Sequence, residues 1–296
     1  MKKIVIFLLF IPFACGPRHS ATGAGAEPVI HTREVYKSID TFLLEMDIFY
    51  QEAALERENN TAIVFFHGGG WAYGSPGEFY SICERYARMG LITFSVEYRL
   101  SVDRGVTPSQ TISPIECVMD ARSALRWVQA NAGRFHLAQD KIVAAGQSAG
   151  GQLALSTAMI DDWNEAGDDT TLSTCPDALI LFSSNVNTVE GWCDYLLGER
   201  RELIWSISPT HHIRAGLPPM IAFHGSEDEQ VPKWTAEHFA EEMKKAGNRY
   251  ELVLFEGRQH YLGAGDSTYS GYCTEEILQQ ADEFLRRLGM MGGEGE

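Results

Sequence analysis

Basic side chains are scarce: 24 Lys and Arg stand against 40 Asp and Glu, a formal net charge of −16 over 296 residues. Phosphate backbones and anionic lipid surfaces would be repelled by such a chain, so nucleic-acid binding drops out of the candidate functions. No internal repeat and no mid-chain linker divides the chain, and a length of 296 residues with 45% hydrophobic composition reads as one catalytic-size domain. The six cysteines, at 15, 83, 117, 175, 193 and 273, show no C-x-x-C spacing, which leaves a zinc or thioredoxin-type site without support; no metal site is expected.

The apolar run Ile4 to Ala14, preceded by Lys2 and Lys3, is too short to span a bilayer and fits an export signal, so residues 1–14 are expected to be a removed signal peptide. Cys15 lies between Ala14 and Gly16 as in a bacterial lipoprotein signal, although Pro12 stands where such signals usually carry leucine. A competing cut follows Ala24-Gly25-Ala26, farther from the apolar run. The preferred expectation is lipidation of Cys15, with 15–29 ("GPRHSATGAGAEP" at its centre) as a flexible tether. That places the protein in the cell envelope, secretion being the alternative, and gives it a membrane contact only through its lipid. Any pairing among the remaining five cysteines would leave at least one free.

Short apolar runs at 41–50, 62–68, 91–100, 141–146, 178–184, 219–225 and 250–257 read as buried strands. Between them lie helical patterns. Ser113-Pro114-Ile115-Glu116 is a capping box with proline at the first helical position, followed by Val118, Ala121, Leu125 and Val128. A second helix opens at Pro232, carries Ala236, Phe239, Ala240, Met243 and Ala246 inward and stops at Gly247; a third runs from about Thr274 to Leu288. Strands alternating with helices predict an α/β fold with a largely parallel sheet covered on both faces, over residues 30–290 with a tail at 291–296. The long interval 187–214 reads either as a small cap beside the sheet or as an irregular crossover with a packed helix.

"GQSAG" (146–150) puts Ser148 between glycines, after an apolar strand and before a helix carrying Leu153 and Leu155. This is the context of a G-x-S-x-G nucleophile turn, in which the serine oxygen is presented over helix amides that favour a developing negative charge. Upstream, "FFHGGGWAYGS" places His67 to Gly70 at a strand end, where glycines let backbone N–H groups approach one substrate oxygen without a Cβ in the way.

From about residue 34 to 288 the chain resembles the α/β-hydrolase superfamily, specifically its HGGG-bearing esterase branch of hormone-sensitive-lipase-like, acetyl- and feruloyl-esterase-like enzymes. The resemblance implies an eight-stranded, mostly parallel sheet with helices on both faces and a small cap insertion. It also implies oxyanion donors at the amides of Gly69, Gly70 and Ala149, and a triad in the order serine, acid, histidine. In "FHGSEDEQVP" three acids compete, Glu227, Asp228 and Glu229, and the family's HG-x-x-D-x-x-V-P pattern selects Asp228. His260, in "FEGRQHYLGAG", follows the last strand; His238 lies inside a helix, and His211 and His212 precede the acid. His224 reads as a strand-end residue that stands too close to the acid in sequence to bond it. Gln147 departs from the acid that the hormone-sensitive-lipase-like group often carries there.

A serine hydroxyl needs a neutral imidazole to take its proton and a carboxylate to orient that imidazole, which Ser148, His260 and Asp228 supply. The expected activity is that of an exported serine carboxylester hydrolase working through an acyl-enzyme, without a cofactor. Its expected substrates are short-chain acyl esters, acetyl or feruloyl esters of carbohydrates being the first candidates. Trp71 and Tyr73 are placed to line the acyl side or to pack in the core. A prolyl-oligopeptidase-like peptidase or arylformamidase with the same triad, and a non-catalytic hydrolase-like envelope protein, are the alternatives. Oligomeric state is not readable from the residues.

Overall fold

The computed structural model describes residues 27–102, 107–109 and 111–292. The expected signal segment 1–14, Cys15, the Ala24-Gly25-Ala26 cut and residues 293–296 lie outside the described residues. Eight strands form one sheet: β1 (Ile30–Ile39), β2 (Phe42–Tyr50), β3 (Asn60–Phe66), β4 (Ile92–Val96), β5 (Leu137–Gln147), β6 (Ala178–Phe182), β7 (Met220–Gly225) and β8 (Tyr250–Phe255). Their order is β1-β2-β4-β3-β5-β6-β7-β8. β2 runs antiparallel to β1 and β4, and every pairing from β4 across to β8 is parallel.

β3 is buried at all seven positions because both its faces are covered, which is why Ala62 to Phe66 read as an unbroken apolar run rather than an alternation. Its residues divide between two cores. Ala62, Val64 and Phe66 point to a core shared with α2 (Pro114–Ala130), α3 (Ala149–Met159), α4 (Gly191–Leu197) and α5 (Lys233–Lys245); Ile63 and Phe65 point to one shared with α1 (Tyr80–Arg88) and α6 (Glu275–Arg287). Phe65 stacks on Phe79 at 4.9 Å, and truncating it to alanine would cost about 3–5 kcal/mol in transfer energy and residual cavity.

The capping box at Ser113 forms in full: the Ile115 N–H donates to Ser113 Oγ and the Ser113 N–H to Glu116 Oε2. On α5 Ala236, Phe239 and Met243 are buried while Ala240 and Ala246 are half-buried, a narrower apolar stripe than the sequence predicts. The β1 strand is absent from the sequence reading. It is an edge strand rich in polar residues, and Lys37, which looks like a surface residue, is 8% exposed with its ammonium 2.6 Å from Asp120 and 2.9 Å from Glu165.

The interval 187–214 holds α4 and then two 3-10 segments, Gly198–Ile207 and Pro209–His212. Cys193, Leu196, Leu197, Ile204 and Ile207 join the α2/α3 core, so the segment is packed down along its length. In parallel sheets, crevices open outside the carboxyl ends of the strands. Here the ends of β3, β5, β7 and β8 are where Gly69, Ser148, Asp228 and His260 are found.

Candidate active site

Ser148 sits between β5 and α3 with φ 55° and ψ −119°, a backbone conformation that costs a non-glycine residue of order 1–3 kcal/mol. Three hydrogen bonds hold it there. Its N–H donates to Phe182 O, and its carbonyl accepts from Gln152 N and Asn185 N. The flanking glycines have separate reasons. A Cβ on Gly146 would lie 2.3 Å from Gly150 O, and one on Gly150 would lie 2.0 Å from Phe66 O, so strand, helix and neighbouring strand close only when both are glycine. Ala149 belongs to the first turn of α3, whose backbone donors have no intrahelical acceptor.

Gly69, Gly70 and Trp71 all take positive φ (108°, 60° and 61°), which turns the chain sharply after β3. The Ala72 and Tyr73 N–H groups both donate to Gly69 O and close this turn. His67 supports it from below. Its ring stacks on Tyr98 at 4.2 Å, its Nδ1 bonds Gly68 O at 2.8 Å, and the Tyr98 hydroxyl donates to His67 O. Burial pushes the His67 imidazole down to about 4, only partly offset by the Gly68 carbonyl, so the ring is neutral at pH 7. From the 187–214 interval, Trp192 donates its indole N–H to Gly70 O at 2.9 Å while stacking on Tyr195. Trp71 is 1% exposed and donates to Gln152 Oε1 on α3, tying the glycine turn to the serine helix.

Asp228 is buried and fully committed. Oδ1 accepts from the Gln230 and Val231 N–H groups, and Oδ2 lies 2.8 Å from His260 Nδ1. Glu227 and Glu229 are exposed, so of the three competing acids only Asp228 meets a histidine. The loops carrying the two residues pack closely: a Cβ on Gly225 would lie 2.2 Å from Arg258 O. A carboxylate only accepts, hence Nδ1 carries the proton and Nε2 presents its lone pair. That lone pair is met by Gln147 Nε2 at 3.1 Å. His224 was expected to be a strand-end residue that does not bond the acid, and its hydrogen bond does go elsewhere. One turn of chain brings its Nε2 to 3.4 Å from Asp228 Oδ2, while its hydrogen bond goes to Val231 O at 2.9 Å. Burial lowers the His224 pKa, keeping a second cation away from the carboxylate.

Ser148, His260 and the glycine turn open onto one cavity of about 420 Å³, lined by Gly69, Gly70, Trp71, Tyr73, Gln147, Ser148, Ala149 and His260 together with Asn185, Glu190, Trp192, Gln230, Val231 and Tyr261. Every site residue named from the sequence is therefore brought to it except Asp228, which stands behind His260, and Cys15, outside the described residues. His238 is exposed, and His211 bonds Oγ of Ser208, the residue that precedes its 3-10 segment. Trp192, Tyr98 and Tyr272, whose hydroxyl meets the Gly68 N–H, escaped the sequence reading because isolated aromatics at no fixed spacing carry no local signal. Among the described residues no group of three or more His, Cys, Asp or Glu is arranged to hold a metal, and no helix is long and apolar enough to cross a membrane. The cysteines at 83, 117, 175, 193 and 273 are free thiols.

Comparison with known proteins finds esterases similar to this chain. The BD-FAE family model matches residues 46–243. The propionate-bound structure of esterase 2 from Thermogutta terrifontis is 40% identical with a TM-score of 0.79, covering 90% of this chain and 97% of that one. Esterase LipC of Mycobacterium tuberculosis is 24% identical over 233 residues, 73% of this chain and 55% of its own length. Isoprenylcysteine alpha-carbonyl methylesterase ICME of Arabidopsis thaliana is 25% identical over 219 residues, 67% of this chain and 49% of its own. The chain spans about half the length of these two curated relatives.

Proposed function

Since the chain belongs to the BD-FAE family of the α/β-hydrolase superfamily, we propose that it is a carboxylesterase in which Ser148, His260 and Asp228 form the catalytic triad. The observation that carries this reading is the buried His260–Asp228 pair opening onto the same cavity as a strained, glycine-flanked Ser148. Ser148 Oγ attacks the ester carbonyl carbon as its proton passes to His260 Nε2, and Asp228 stabilises the imidazolium through Nδ1. The oxyanion of the tetrahedral intermediate is met by the amides of Gly69, Gly70 and Ala149, whose turn is fixed before substrate arrives. Collapse returns the proton from Nε2 to the leaving alcohol and leaves an acyl-serine. Water, deprotonated by the same nitrogen, releases the acid and restores the hydroxyl.

The finer reading is a short aliphatic acyl group, acetyl to butyryl, or else a feruloyl group, on a polar alcohol such as a carbohydrate. In its support, the cavity is modest and its walls mix Trp192, Tyr261 and Tyr73 with Glu190, Asn185 and Gln230; the related esterase 2 carries propionate. Export with a lipid on Cys15 is proposed from the sequence of residues 1–15, and mass spectrometry of the mature N-terminus tests it. The catalytic reading is tested by Ser148→Ala: a folded protein with turnover down by several orders of magnitude supports it, and near wild-type turnover overturns it.

A further inference from the structure

The side-chain amide of Gln147 lies between the glycine turn and the base. Gln147 ends β5 and is 1% exposed. Its Oε1 occupies the space that a Cβ on Gly68 would need, 1.9 Å from that position, and its Nε2 stands 3.1 Å from His260 Nε2. His260 Nδ1 is already committed to Asp228, so Nε2 is an acceptor and only the NH₂ end of the amide suits it.

We propose, resting on the serine-hydrolase reading above, that Gln147 is a positioning residue that caps the His260 Nε2 lone pair in the resting site, disfavours the imidazolium, and gives that lone pair up to the Ser148 hydroxyl when substrate engages. The chemistry follows from what an amide nitrogen cannot do. When Ser148 Oγ gives up its proton, Nε2 becomes a donor, and the NH₂ group facing it cannot accept. The proton then has the serine oxygen and the leaving alcohol as its acceptors, so Gln147 makes the ring a transient carrier of that proton rather than its resting place. Other groups facing the ring act differently. Asp228 favours the imidazolium at Nδ1; His224 lies behind that carboxylate; the Tyr261 ring meets the imidazole edge-on at 5.5 Å; Ser148 and Glu190 share the cavity. Gln147 is the group that donates to Nε2 in this arrangement.

Gln147→Met keeps the length of the side chain without the donor, and Gln147→Glu replaces the donor by an acceptor with charge. Two readouts are taken on folded proteins: the acid limb of kcat/KM on p-nitrophenyl acetate, and the NMR titration of the His260 Cε1–H signal, assigned with His260→Asn. Both midpoints should move to higher pH, by about half a unit or more in the Met variant and by more than about one unit in the Glu variant, since hydrogen bonding and charge at Nε2 then favour the protonated ring. Midpoints unchanged or moved down, or a fall in kcat with the limb unmoved, would overturn the proposal and leave Gln147 as packing. Either variant decides if the other fails to fold. The NMR midpoint needs no turnover, so a chain without esterase activity would defeat the functional reading while this one is still read.

Discussion

Acidification should loosen the protein through His67 before it affects the buried carboxylate ion pairs. Unfolded, this imidazole binds a proton near its ordinary 6.5; folded, burial beside Tyr98, only partly offset by the Gly68 carbonyl, holds it at about 4. Between those values the unfolded chain holds a proton that the folded chain does not, so stability falls as pH falls through that window. A gap of this size corresponds to about 3 kcal/mol once the window is crossed, a large fraction of an ordinary folding free energy. Urea unfolding at pH 7 and pH 4.5, in wild type and in His67→Gln, reads it. Glutamine can still donate to Gly68 O but does not titrate, and every carboxylate is common to both proteins, so the difference in their pH dependence isolates His67. The wild type should lose about 2 kcal/mol more than the variant over this interval. Equal losses in the two proteins would refute the assignment of a buried neutral ring beneath the glycine turn.

Three further outcomes are expected. Trp192→Phe removes the donor to Gly70 O while keeping the ring, and kcat should fall about fivefold, the value of one neutral hydrogen bond of about 1 kcal/mol, with KM nearly unchanged; an unaltered kcat would show that the turn holds itself. Gly150→Ala places a Cβ 2.0 Å from Phe66 O and should destabilise the fold by more than about 3 kcal/mol, seen as a lower Tm or insoluble expression, whereas a wild-type Tm would contradict the close packing of α3 on β3. Across p-nitrophenyl esters of two to sixteen carbons, kcat/KM should peak at four or below, because longer chains gain about 0.8 kcal/mol per methylene only where a tunnel buries them; a maximum at ten or more would mean that the walls around Trp192 open into one.

Much of this site was legible because its chemistry is carried by local sequence. The glycines around Ser148 and the run from His67 to Gly70 are dictated by close backbone approach and positive φ, and those constraints leave a fixed pattern of residue types. The parallel strands were legible for a related reason: burial on both faces leaves mostly apolar residues in the central ones. What escaped was held by contacts distant in sequence. Lys37 is buried only because Asp120 and Glu165 meet it, so the polar edge strand β1 gave no apolar signal. Trp192 reaches Gly70 across 122 positions, and nothing in its neighbours marks it as a support for the turn. His224 was read as a strand-end residue that leaves the acid unbonded; its hydrogen bond goes to Val231 O, while the turn brings its ring to 3.4 Å from Asp228, a proximity that spacing alone does not show.

The most direct test of the account is where a serine-directed electrophile lands. Treated with a fluorophosphonate, the protein should take up one equivalent, lose its esterase activity in proportion, and yield a single modified peptide with the adduct on Ser148. In His260→Ala, where the Oγ proton has no acceptor, labelling should slow by orders of magnitude in a protein that remains folded. A stable fold that is not labelled, an adduct on another residue, or labelling indifferent to His260 would contradict the reading of Ser148, His260 and Asp228 as a working triad.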